Sequence, residues 1–159
     1  MKSRFLIFTL FIAVMCIGSA SNAVAQSVTG TGVFNLGNGG PPSTLTVSAQ
    51  QGGSGGIMRL SAPGPQQEGT LRGELTGRPV DICVQDNLAL VVAEITRGTV
   101  DFAGTEGQFM QFGFLDNGRS GDAAVFTFPF LISPVQVPAC DLIPIQAAPV
   151  ERGGFQVKP

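Results

Sequence analysis

The chain has 159 residues with nine Lys and Arg, eleven Asp and Glu, and no His, Trp or Tyr. The lack of histidine excludes Ser-His-Asp and Cys-His catalysis and removes the commonest ligand of zinc and copper. The basic residues are spread singly, so no clustered positive field is present to bind nucleic acid. We therefore expect a non-catalytic protein without metal, cofactor or nucleic-acid partner.

The first 25 residues have the order of a secretory signal peptide. Two basic residues precede an apolar run over 5–17, and the small-x-small tripeptide 23–25 precedes Gln26. The apolar run is shorter than the roughly 20 residues that span a bilayer as a helix. We therefore predict cleavage of 1–25 and a secreted or periplasmic location. The remaining 134 residues, 26–159, are predicted to form one domain that is not an integral membrane protein.

Short apolar runs separated by Gly and Pro predict strands throughout the mature chain. Residues 43–49 alternate between apolar and polar side chains, as a half-buried strand does, and 88–96 form a continuous apolar run typical of a central strand buried on both faces. In the first half of the mature chain the predicted strands are 28–34, 43–49, 57–62, 71–76, 79–85 and 88–96.

Residues 108–115 and 124–131 are predicted to form a hairpin across the Asn-, Asp- and Gly-rich loop 116–122. One face of each strand is apolar, and these side chains would line either an apolar ligand pocket or an ordinary core. They are Met110, Phe112, Phe114, Phe126, Phe128 and Phe130.

The segment 133–149 is rich in proline and is predicted to be extended and irregular, followed by a last short strand over 154–157. No part of the mature chain carries a capped helical pattern over three turns. The sequence therefore predicts an all-β fold of about eight short strands, mostly antiparallel, arranged as a sandwich or a small barrel.

Two cysteines, Cys83 and Cys140, remain after loss of the signal peptide, and an even pair in an exported chain is typical of a disulfide. Closure of a loop of this length is worth about 4 kcal/mol in the chain-entropy model. A redox or metal-binding pair is the alternative, although the chain lacks a C-x-x-C spacing.

Two further features of the sequence contain acidic side chains that could form a site. The loop 116–122 has the carboxylates of a calcium site without the D-x-[DN]-x-[DN]-G order, so a hairpin turn accounts for it. Glu94 lies within the apolar run and is either solvated or paired with Arg72, Arg78 or Arg97.

Five short motifs occur in order: G-x-G-x-F at 30–34, V-x-[IV]-C-V at 80–84, D-N-G at 116–118, Cys-Asp at 140–141 and G-G-F-x-V at 153–157. In these the chain resembles a broad group of short exported bacterial proteins without assigned activity. The resemblance implies an all-β exported domain with a Cys83–Cys140 bridge, and it carries no catalytic residues.

Three functions follow as hypotheses. The first is a secreted, non-catalytic β-domain with a binding or structural role toward a protein or surface partner. The second is a small β-barrel carrier of an apolar ligand, based on the phenylalanine cluster. The third is a hydrolase that depends on two carboxylates, since such a pair needs no histidine.

Overall fold

The computed structural model describes residues 25–35, 41–52, 55–64, 71–118, 121–128 and 132–159. Within these ranges the chain forms nine strands and two short 3₁₀ turns, at Val100–Phe102 and Ala139–Asp141. The strands are β1 (Ser27–Phe34), β2 (Ser43–Gln50), β3 (Ile57–Pro63), β4 (Arg72–Gln85), β5 (Leu88–Gly98), β6 (Phe109–Leu115), β7 (Ala123–Phe128), β8 (Ile132–Ser133) and β9 (Ile143–Lys158).

Eight of these strands close into an antiparallel barrel. Their order is β5-β4-β3-β2-β1-β9-β7-β6, and β6 pairs back onto β5. The two-residue strand β8 pairs with the start of β6. The all-β prediction is confirmed, and of its two architectures the chain adopts the barrel. An eight-stranded barrel is just wide enough for side chains to fill its interior or for one small ligand.

The predicted hairpin between β6 and β7 is confirmed, with Phe112 opposite Phe126 in the register. The paired part of β7 ends at Phe128, and residues 129–131 of the predicted strand lie outside the described residues. Among the described residues, no helix is long and apolar enough to cross a membrane.

The division of residues 71–85 into two strands at Gly77 is wrong, because β4 runs unbroken through this position. The register shifts between Thr76 and Gly77 and again between Pro79 and Asp81. A Cβ at Gly77 would lie 2.6 Å from the Met110 methyl group, so the glycine permits a close approach between strands rather than ending one.

The prediction that the whole segment 133–149 is irregular is also wrong, because β9 begins at Ile143. Its first half pairs with β7, and its second half, which includes the predicted strand 154–157, pairs with β1. Pro144 and Pro149 fall in the half that pairs only with β7 among the described strands. Prolines are tolerated on a strand with one open edge, because the missing N–H can face away from the partner.

The buried apolar residues form two clusters. The larger fills the barrel interior, and the smaller lies outside the wall around Cys83, Leu90 and Val92. Strand β5 contributes Ala89, Val91 and other residues to the larger cluster, so it is buried on both faces as its continuous apolar sequence predicts.

Candidate functional site

The members of the predicted apolar set that the structure describes belong to the barrel core. Met110, Phe112 and Phe114 are fully buried, and Phe126 is half-buried and packs against them. Ring centroids of Phe112 and Phe126 lie 6.0 Å apart, and those of Phe114 and Phe155 lie 5.0 Å apart. These side chains pack on one another inside the barrel.

The remaining two members of that predicted set are not placed by the structure. The side chain of Phe128 and all of Phe130 lie outside the described residues.

Residues 134–142, which we call the strap, cross the outside of the barrel wall. The predicted disulfide is confirmed: Cys140 of the strap is bonded to Cys83 of β4, with the two Cα atoms 5.1 Å apart. The backbone N–H of Ala139 donates a 2.7 Å hydrogen bond to Asp81, two residues before Cys83 on the same face of β4. The disulfide and this hydrogen bond fasten the strap at neighbouring points.

The strap covers an apolar part of the outer wall. Ala139 and Leu142 of the strap pack against Leu90 and Val92 of β5, and all four are buried. Gln111, which is opposite Val92 in the register of β6, is also fully buried. The outer surface of β5 and β6 therefore has the burial of a second, smaller core.

A groove continues from this covered area along the outer wall. It has a volume of about 300 Å³. Its floor consists of Leu88, Leu115 and Val125, whose side chains alternate with the inward-facing residues of β5, β6 and β7. Its other side is the start of β9, residues 144–147. The groove is open to solvent and mainly apolar.

Ile145, which lines this groove, and Ile143, two residues before it on β9, are among the most exposed large apolar residues of the described chain. Ile143 and Ile145 are 58% and 64% exposed, and Val135 of the strap is 65% exposed. No charged residue occurs between Asp141 and Glu151. Natural sheets usually place charges or prolines where a strand has an open edge; this segment has prolines and lacks charges. Exposed apolar side chains grouped in this way are typical of a protein-binding surface.

At the barrel end where β1 begins and β9 ends, Gln26 forms contacts that sequence reasoning missed. The side-chain oxygen of Gln26 accepts a 3.1 Å hydrogen bond from the Val84 N–H, and its backbone oxygen accepts a 2.8 Å bond from the Gln51 N–H. Gln26 thus joins β4 to β2 across the end of the barrel. No sequence signal marks this role, because Val84 is 58 residues away.

The opposite end is closed by the 3₁₀ turn after β5. Phe102 is buried and packs into the barrel core. Val100, which precedes it, is 51% exposed and has a φ of 57°, in the left-handed region that a β-branched residue rarely adopts. Phe102 therefore seals this end at the expense of local backbone strain.

The two aspartates that flank the β6–β7 turn have a structural role. Asp122 accepts hydrogen bonds from the Asn117 and Phe155 N–H groups at 3.0 and 2.7 Å. Asp116 accepts from the Val157 N–H at 3.1 Å. The bond from Asn117 lies within the turn, and the bonds from Phe155 and Val157 attach the turn to β9. Among the described residues, no three His, Cys, Asp or Glu side chains lie close enough together to hold a metal ion.

Other acidic residues are also held by local partners. Glu94 is 37% exposed and forms a 2.8 Å ion pair with Arg78, one of its three predicted partners. Glu74 pairs with Arg59 at 2.7 Å. The Gly98 N–H donates to the Glu106 carboxylate at 3.0 Å, and this hydrogen bond is the main cause that keeps the Glu106 pKa below its usual value of 4.5.

No family model, curated protein or solved structure matches this chain. The functional argument therefore depends on the barrel, the strap and the outer groove themselves. The disulfide that fastens the strap is predicted by the sequence, whereas the groove is not. Its floor residues come from three strands, so the sequence could have shown it only with the barrel register in hand.

Proposed function

We propose that the protein is an exported, non-catalytic β-barrel that binds an extended, uncharged apolar segment of another protein in its outer groove. The observation that supports this most directly is the exposure of Ile143 and Ile145 on β9, beside a groove with an apolar floor. The Cys83–Cys140 disulfide is compatible with the oxidising compartments outside the cytoplasm.

The chemistry of the groove determines the class of partner. The described residues that line it include no charged side chain, so a charged segment would lose hydration there without gaining an ion pair from them. The predicted mature chain has seven basic and eleven acidic residues, a net charge of −4, which opposes binding to anionic lipid surfaces. The proline residues at 144 and 149 oppose addition of a full strand along β9. Apolar side chains that pack onto the outer face of β5, β6 and β7, beside the start of β9, are the favoured mode.

Substitution of Ile145 by aspartate tests this proposal. Val100→Asp is the matched control, because Val100 is a comparably exposed aliphatic residue at the end of the barrel. We would isolate the protein with its bound partner from the export compartment, purify both, and measure Kd by calorimetry. Loss of a buried isoleucine contact costs about 1.5–3 kcal/mol, so Ile145→Asp should weaken binding by at least about tenfold. Equal effects of the two substitutions would overturn the assignment of the groove.

A carrier of an apolar ligand is the second candidate, because a closed eight-stranded barrel is an architecture that holds one small ligand. In this structure the interior contains packed aromatic side chains, including Phe34, Phe112 and Phe114, all fully buried. A ligand would have to displace them. The carrier hypothesis therefore predicts a small apolar molecule that copurifies with the protein and is released on denaturation.

A further inference from the structure

The strap and the outer groove share one apolar floor. Leu88 lines the groove and also packs against the cluster beneath the strap. On β5 it is followed on the same outer face by Leu90 and Val92, which are buried under the strap. The open groove is therefore the uncovered end of a longer apolar surface.

The attachment of the strap is separate from the packing that closes the barrel. The interior cluster contains neither Cys83 nor any residue of the strap. The strap is attached through the disulfide, the hydrogen bond from Ala139 to Asp81 and the burial of Ala139 and Leu142. The barrel ladders on both sides of β5 are formed with β4 and β6 and do not involve the strap.

We propose that the Cys83–Cys140 disulfide is a redox-sensitive latch, whose reduction releases the strap and lengthens the groove along Leu90 and Val92 while the barrel stays closed. The step needs a thiol reductant. Two thiols of the reductant are oxidised to one disulfide. The bond between Cys83 and Cys140 breaks, and each of their sulfur atoms gains one electron and one proton. Cys140 is exposed whereas Cys83 is buried, so a thiolate reaches the bond from the side of Cys140. The role of the lengthened groove depends on the proposed function, whereas release of the strap does not.

Hydrogen exchange of the complete protein, oxidised and after treatment with dithiothreitol, tests the latch. In the oxidised protein the amides of Ala139, Asp141 and Leu142 are hydrogen-bonded, to Asp81, Pro138 and Ala139 respectively. After reduction these three amides should exchange at least about tenfold faster, whereas the amides in the centre of β5 stay protected. Binding of an apolar dye should rise in parallel, because Leu90 and Val92 become exposed.

Two variants support the measurement. The Cys83→Ser, Cys140→Ser double variant should reproduce the reduced pattern without reductant, and Asp81→Asn, with its disulfide intact, should keep the oxidised pattern at Asp141 and Leu142. Unchanged exchange of the strap after complete reduction would show that packing alone holds it. Equal acceleration in the strap and in β5 would show that the barrel opens as a whole. Either result overturns the latch, and neither depends on a partner, so the test of Ile145 remains independent.

Discussion

Truncation of Phe112 distinguishes a packed barrel core from a ligand pocket. Phe112 is fully buried and its ring lies 6.0 Å from that of Phe126. Removal of a buried phenylalanine side chain costs about 3–5 kcal/mol, because the transfer free energy is lost and a cavity remains. Loss of the contact with Phe126 adds about 0.5–1.5 kcal/mol to the transfer cost, so we expect the upper half of that range for Phe112→Ala.

The chain has no Trp or Tyr, so urea unfolding of Phe112→Ala should be followed by far-ultraviolet circular dichroism. Phe109→Ala is the control, because Phe109 is half-buried and packs against the smaller cluster outside the barrel. The account predicts a clearly larger loss for Phe112 than for Phe109. A loss of stability below about 1 kcal/mol for Phe112→Ala would be little more than the free energy of burying one methylene group. It would refute the packed interior and favour a pocket.

Three further predictions concern the surface and the barrel end. Val100→Asn should raise the free energy of unfolding in urea by about 1 kcal/mol, because asparagine tolerates the left-handed conformation; a loss of stability would contradict the strain. Glu94→Gln should cost less than about 1 kcal/mol in the same assay, as exposed ion pairs do, and a loss of several would show that the pair is energetically buried. The lowered pKa of Glu106 stabilises the fold at pH values above its unfolded pKa, and this contribution is lost as the pH falls through the folded pKa. The midpoint temperature of thermal unfolding should therefore fall less steeply for Glu106→Gln than for wild type as the pH is lowered below about 4.5. Parallel curves would contradict this.

Much of the barrel was predictable because its strands have local signals. The alternation of 43–49, the continuous apolar run of β5 and the Asn- and Gly-containing turn after β6 each predicted the correct element. The two errors have one cause. Gly77 and the prolines of 133–149 were treated as interruptions of a strand. In the structure Gly77 lies inside β4, where a side chain would meet Met110, and Pro144 and Pro149 lie inside β9, where it has an open edge.

The groove was not predictable by the same means. Its floor combines Leu88, Leu115 and Val125, which become neighbours only when β5, β6 and β7 pair in register. The strap shows an intermediate case. Cysteine counting predicted its disulfide, whereas the supporting contact of Ala139 with Asp81 depends on the outward direction of Asp81 and on the path of a proline-rich segment. The groove thus depends on pairing between strands that are distant in sequence, whereas local sequence signals predicted the strands and the disulfide beside it.

Native mass spectrometry of the protein purified from its own host tests the central claim most directly, with the denatured intact mass as the reference. The denatured mass also tests whether the chain is cleaved before Gln26, as predicted, and whether two hydrogens are lost to the disulfide. The account predicts a native mass equal to the oxidised chain alone or to its complex with another polypeptide, and loss of that polypeptide in Ile145→Asp. A small apolar molecule that remains bound in the native state and is released on denaturation would contradict the filled interior and identify the barrel as a carrier.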